Sequence, residues 1–186
     1  CKQLFAGQEP TTADEVCITN YYKAISLIEE NYDTLPLSVE TICKLHELLY
    51  PENKGKFKTV DNCIVAIDCF GHQRVIFRPL SAVETPDAME NLIAEYKKVE
   101  PYVDPLLLIP AFIDDYLCIH PFEDGNGRTS RLLTLLLLYK AGYMVGRYCS
   151  IDGAIWQAVR SYYATLREAQ IDWHDGCNDP ISFIKY

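Results

Sequence analysis

The chain has 186 residues, 49% of them hydrophobic and 23% charged, with a formal net charge of −9. This length is one domain with room for a sizeable core, and the composition excludes the disordered and fibrous classes. The acidic balance argues against nucleic-acid binding, which needs a basic patch, and no apolar run approaches the ~20 residues of a membrane span.

Residues 1 to 16 read as an irregular N-terminal segment, broken by Gly7, Pro10 and Thr11-Thr12, and residues 17 to 186 as the single domain. The chain opens on Cys1 rather than Met, which reads as a fragment or a processed chain, and no signal peptide is visible. Asp14 is the expected cap of a first helix, whose apolar stripe of Ile18, Tyr21, Tyr22, Ile25 and Ile28 ends near Asn31. Ser38 starts a second helix with Ile42, Leu45 and Leu49 facing inward, and His46 on it reads as a structural histidine. Cys63 to Ile67 and Arg74 to Phe77 are β-prone runs joined by Asp68-Cys69-Phe70-Gly71-His72, which predicts a β-hairpin. A lone hairpin is marginal, so it must lean on the helices or add a strand. Its free edge suits strand addition by an extended peptide.

Thr85-Pro86 opens a third helix, with Met89, Leu92, Ile93 and Tyr96 on its buried side. Asp104-Pro105 repeats that signal before a strongly apolar helix from Leu106 to Ile119, where Pro110 predicts a kink or the true start. A leucine-rich helix follows from Arg128, carrying Leu132, Leu133, Leu135, Leu136 and Tyr139. Ser150 or Asp152 caps a last helix with Ile155, Val159, Tyr162, Tyr163 and Leu166 on one face and Trp156 in the core. The fold class is therefore mainly α with one β-hairpin. The eight cysteines are irregularly spaced with no Cys-x-x-Cys pair, which points to reduced thiols in a cytoplasmic protein. Cys17, Cys43 and Cys118 read as small core residues. His174, Cys177 and Asp179 read as a polar turn rather than a zinc site.

The chemistry concentrates in His120 to Arg131, HPFEDGNGRTSR. Gly125-Asn126-Gly127 is a permissive turn at a helix N-terminus, where orphan N–H groups and the helix dipole favour an anion. Arg128 and Arg131 share one helical face and suit phosphate oxygens. Asp124, beside that cradle, calls for a bridging cation such as Mg²⁺. His120 titrates near neutrality, which suits a general base. The stretch is not a P-loop, because Gly127 is followed by Arg128. Nor is it a Rossmann fingerprint, because the preceding run reads as helix.

These twelve residues resemble the signature of Fic domains: His-Pro-Phe, any residue, Asp or Glu, Gly-Asn-Gly-Arg, two residues, Arg. Every fixed position is filled. The resemblance extends weakly from about Ile18 to Tyr186 and implies a Fic-type helical domain with a hairpin flap near the active site. It implies a protein adenylyltransferase that moves AMP from ATP to a Ser, Thr or Tyr hydroxyl of a target protein, with Mg²⁺. His120 would take the hydroxyl proton and Phe122 would anchor the loop. Asp124 would hold the metal, and Gly125, Asn126 and Gly127 would form the anion hole. Arg128 and Arg131 would hold the phosphates, and Ile64 and Val65 of the flap would meet the target. Relatives that act as kinases carry lysine in place of Gly127. Another nucleotide, or a non-catalytic binding module on the same fold, are the alternatives. Ser26 to Asn31 matches the pattern of an inhibitory motif, which would make Glu30 the inhibitor; in relatives this motif normally precedes the region of residue 1, so the resemblance favours a segment upstream of the chain, or an antitoxin-like partner, as the source of restraint. A homodimer is also compatible with the resemblance.

Overall fold

The structure, a computed structural model, describes residues 9–67 and 70–186. Residues 1–8 of the expected irregular segment, and Asp68-Cys69 of the expected hairpin turn, lie outside them.

Two helices meeting at one short loop form the centre. α4 (Pro105–Ile119) runs into the loop and α5 (Asn126–Lys140) leaves it. α4 is mostly apolar and α5 is apolar from Leu132 on, apart from Thr134 and Lys140, and Ile109, Phe112, Leu117, Leu132, Leu133 and Leu136 are all buried. Burial of each such side chain contributes roughly 1.5–3 kcal/mol before conformational entropy is subtracted. The pair is therefore a rigid base for whatever the loop holds. Pro110 lies inside α4 rather than at its start. It falls in the second turn, so the Leu106 carbonyl goes without its i+4 donor.

The other helices wrap this pair. α1 (Ala13–Asn31) packs on α5 and on α2 (Val39–Leu49), and α3 (Thr85–Val99) packs on α4. α1 begins earlier than its apolar stripe suggests. Thr12, not Asp14, is its cap, and Glu15 closes a capping box with it. Ser38 caps α2 as expected. The region after Gly142 departs most from expectation. The single last helix is two, α6 (Ile151–Gln157) and α7 (Val159–Ala169), broken at Ala158, and a short α8 (Ile181–Lys185) follows. Trp156 and Tyr163 are exposed, not buried. Ile155 of α6 and Tyr162 of α7 still line one cavity across the break. Cys17 is likewise exposed, while Cys118 is buried as expected.

Strands β1 (Ile64–Ile67) and β2 (Gln73–Phe77) pair antiparallel, with Val65 opposite Val75 and an irregularity between Ile64 and Val65. Among the described residues no third strand joins them. The hairpin leans on its flanks instead. The Lys58 N–H donates to Pro121 O at 2.8 Å, and the Leu80 N–H donates to Cys118 O at 3.3 Å. His174 Nε2 donates to Arg78 O at 2.8 Å, and its ring stacks on Phe77. Both ends of the hairpin are thus fastened to α4 and the loop.

Asp114, on α4, is 1% exposed, and neither carboxylate oxygen has a hydrogen-bond partner. Burial, with Asp115 adding to it, pushes its pKa from 3.8 up to about 7. Between those values the native state binds the extra proton, so stability falls as pH rises through that window and stays low above it. Asp114→Asn should therefore raise the melting temperature more at pH 8 than at pH 5. A gain independent of pH would contradict this.

Candidate functional site

The loop between α4 and α5 is set by two left-handed residues. His120 ends α4 at φ 51° and ψ 64°, and Gly125 precedes α5 at φ 80°. For a histidine this conformation costs on the order of 1 kcal/mol. Such an outlier persists only where its surroundings hold it. Here Phe122 does so: it is fully buried, with its ring 3.7 Å from that of His46 and nearly parallel to it. His46 Nε2 donates to Asp124 O at 3.0 Å, which fixes its tautomer. His46 is thus the buried structural residue expected, and through it α2 grips the loop.

Asn126 ties the loop internally. Its Oδ1 accepts from the Phe122 N–H at 2.9 Å, and its Nδ2 donates to Phe122 O at 2.7 Å. Thr129 Oγ1 donates to Gly125 O at 3.0 Å. Gly125 is required twice over, because a Cβ there would lie 2.2 Å from Cε2 of Tyr50.

The first turn of α5 has no side-chain cap. Among the described residues no acceptor faces the N–H groups of Asn126, Gly127 and Arg128. These amides, at the positive end of a well-formed helix, are placed where an anion would be favoured. Arg131 Nη1 lies 3.4 Å from the position a Gly127 Cβ would take, so the guanidinium flanks the cradle. Arg128 stacks over the Tyr50 ring at 4.7 Å.

His120 is held from behind. Nδ2 of Asn62 and Nδ2 of Asn126 each lie 3.1 Å from its Nδ1. Both amide orientations are fixed by other partners. Asn62 Oδ1 accepts from Lys58 Nζ at 3.2 Å, and Asn62 Nδ2 also donates to Phe122 O at 3.1 Å. An amide nitrogen only donates, so Nδ1 of His120 carries the lone pair and the neutral ring carries its proton on Nε2. Burial, with Lys58 adding to it, lowers the His120 pKa to about 4, so the ring is neutral at pH 7. Lys58 is itself buried and uses its ammonium donors on Asn62 Oδ1, Leu80 O and Ile119 O. Burial lowers its pKa to about 8.

One cavity of about 480 Å³ brings the parts together: Ile64, Val65, His120, Gly127 and Arg131 line it, with Tyr162, Tyr163 and Arg167 of α7 opposite. The two flap residues singled out from the sequence therefore share a wall with the histidine. Asp124 and Arg128 do not line this cavity; the Asp124 side chain is 77% exposed, with Arg128 Nη2 3.9 Å from its Oδ2. Its Oδ1 accepts the Gly125 N–H at 2.6 Å and its Oδ2 accepts Tyr50 Oη–H at 3.1 Å. No group of three or more metal-ligating side chains occurs among the described residues. A lone exposed carboxylate beside an anion cradle fits a Mg²⁺ ion that takes its other ligands from phosphate and water, and does not fit an all-protein metal cage.

Four contributors were not singled out from the sequence. Lys58 and Asn62 lie in a loop with no periodicity to mark them as buried. Tyr50 and Asp152 reach the site only through the tertiary fold. The Ser26–Asn31 match does not reach the arginines. Tyr139 Oη–H donates to Glu29 Oε1 at 3.4 Å, so this end of α1 lies beside Tyr139, roughly 12 Å along a helix from position 131. Glu30 is exposed.

Residues 36–138 match the Fic/DOC family. Over 79 residues the chain is 34% identical to a Fido domain-containing protein of Dictyostelium discoideum, a match covering 41% of this chain and 52% of the relative. A stretch of 25 residues is 76% identical to a protein adenylyltransferase Fic of Aedes aegypti, covering 13% of this chain and 5% of that protein. The crystal structure of a Fic family protein from Desulfovibrio desulfuricans G20 is similar in fold, with a TM-score of 0.76 at 20% identity over 99% of this chain and 53% of that one. The chain spans about half the length of the first and last of these.

Proposed function

The chain belongs to the Fic/DOC family, and we propose that it is a protein adenylyltransferase that moves AMP from ATP to a hydroxyl side chain of a target protein. The observation that carries this reading is the uncapped first turn of α5, opening beside Arg131 into the cavity that His120 and the flap line. The cradle amides and the two arginines bind the nucleotide phosphates and counter the charge that builds on the α-phosphate during transfer. The target hydroxyl oxygen attacks the α-phosphorus, the bond to pyrophosphate breaks, and His120 takes the hydroxyl proton. Asp124 would hold Mg²⁺, which neutralises phosphate charge. β1 offers its free edge to an extended segment of the target, which would set Ile64 and Val65 against it. Glycine rather than lysine at position 127 leaves the cradle clear for an α-phosphate.

In this structure the lone pair of His120 is on Nδ1, where both Asn62 and Asn126 donate. Asn62 and Asn126 each donate from Nδ2 both to Nδ1 and to Phe122 O, so an incoming hydroxyl must displace one of these amides to reach the lone pair. Among the described residues no helix is long and apolar enough to cross a membrane, and the free cysteines suit a cytoplasmic setting.

The test is intact-mass spectrometry of candidate targets, and of the chain itself, after exposure to ATP, UTP or GTP with Mg²⁺. Addition of AMP supports the reading. Addition of another nucleotide replaces ATP in it, and binding without transfer makes the chain a non-catalytic module. The pH dependence gives a further check. With the ring pKa lowered to about 4, the base stays unprotonated well below the usual 6.5. Transfer should therefore hold level from pH 8 to about pH 5. An acid limb centred near 6.5 would contradict the buried environment of His120.

A further inference from the structure

Arg131 lines the cavity of His120 on one side and, on the other, a second hollow of about 410 Å³ with Tyr21 and Asp152 in its wall. Asp152 does not line the His120 cavity. Its Oδ1 accepts Nε–H of Arg131, and its Oδ2 accepts Tyr21 Oη–H at 2.6 Å. The Asp152 backbone is fixed too, in the first turn of α6 behind the Ser150 cap. Tyr21 remains a phenol, because burial and the Asp152 charge raise its pKa.

The geometry points to Asp152, held by Tyr21, as a positioning residue that aims Arg131 at the nucleotide phosphates; this rests on the reading proposed above. A guanidinium has five N–H donors. Asp152 takes the one on Nε, the nitrogen nearest the stem. Asp152 leaves the four on Nη1 and Nη2 to other partners, and Nη1 already stands beside Gly127. A carboxylate that competed with phosphate would stand in the His120 cavity and engage the Nη atoms. Asp152 does neither, and both of its oxygens are satisfied. Holding Nε also removes rotamer freedom that phosphate binding would otherwise have to overcome. The pair joins α1 and α6 through a residue of α5, which explains why an N-terminal helix outside the motif touches the site.

The experiment is calorimetric titration of the whole chain with inorganic triphosphate and with ATP·Mg²⁺, alongside steady-state transfer, for Asp152→Asn, Asp152→Ala and Tyr21→Phe. Asp152→Asn keeps an acceptor for Nε and guards against misfolding, which melting temperatures monitor. Asp152→Ala should weaken triphosphate and ATP binding about tenfold, the scale of a charge-assisted hydrogen bond. Tyr21→Phe should weaken it less, and KM for ATP should rise more than kcat falls. In an Arg131→Ala background, Asp152→Ala should add nothing. Tighter binding or faster transfer in Asp152→Ala would make the contact a restraint and overturn the proposal. Unchanged binding, or effects that simply add to those of Arg131→Ala, would overturn it as well. A parent chain that binds triphosphate but transfers nothing would sink the adenylyltransferase reading and leave the positioning role measurable. One that binds no phosphate sinks both.

Discussion

Replacing His120 with alanine should lower AMP transfer by about 10²- to 10⁴-fold, the usual contribution of a positioned acid–base group, while the affinity for ATP stays within a few-fold of the parent. The split follows from where the parts are anchored. The cradle amides belong to α5, and their placement depends on Gly125, on Asn126 bonding to Phe122, and on Phe122 packing against His46. Only Asn126 among these also bonds the His120 ring, and its two bonds to Phe122 remain without it. The backbone at position 120 is left-handed, so alanine there carries some strain. His120→Asn removes the ring but keeps a residue type that tolerates this conformation, and it should show the same split. Transfer at the parental rate in both variants would remove His120 from the chemistry. Loss of ATP binding in both would make it a structural residue.

Gly125→Ala should be nearly as damaging, by a different route. The added Cβ meets the Tyr50 ring at 2.2 Å, and the left-handed φ of 80° disfavours any side chain. Left-handed strain and overpacking together cost about 2–5 kcal/mol. The loop can relieve the clash only by pushing Tyr50 away or by turning the first amides of α5. The first choice breaks the hydrogen bond from Tyr50 to Asp124 and the stacking of Arg128 over the ring. The second dismantles the cradle. Denaturant unfolding should show the loss of stability, and calorimetry should show ATP affinity falling with it. By contrast, Gly127→Ala meets only the end of a flexible arginine at 3.4 Å, so it should fold normally and perturb nucleotide contacts alone. Equal folding of all three proteins would contradict the steric account of Gly125.

The helical core and the loop chemistry were legible in the sequence because each rests on local signals. Apolar residues at helical spacing mark α2, α3, α4 and α5, and Ser38 and the Asp104-Pro105 pair mark starts that the backbone honours. The glycines, arginines and histidine of the loop lie within a dozen positions, so their proximity needs no tertiary information. The features that escape a reading of the sequence depend on contacts between distant segments. Lys58 looks like a solvated loop lysine, yet Leu80 and Ile119 carbonyls converge on its ammonium and bury it. Asn62 carries no periodic signal and acquires its place only because the hairpin base is fastened to Pro121 and Cys118. Asp152 looks like a helix-cap candidate, and only the fold sets it against Arg131 and Tyr21. The α6–α7 break at Ala158 is a backbone event inside a continuous apolar pattern, and pattern alone does not locate it.

Crystals of the chain grown with ATP and Mg²⁺ test the role of the α5 amides most directly, because they show where a phosphate comes to rest. The α-phosphate should lie within hydrogen-bond reach of the Gly127 and Arg128 amides, with Arg131 on the phosphates and the His120 ring beside the open face of the phosphorus. A nucleotide lodged elsewhere, with the first turn of α5 facing only solvent, would contradict that role.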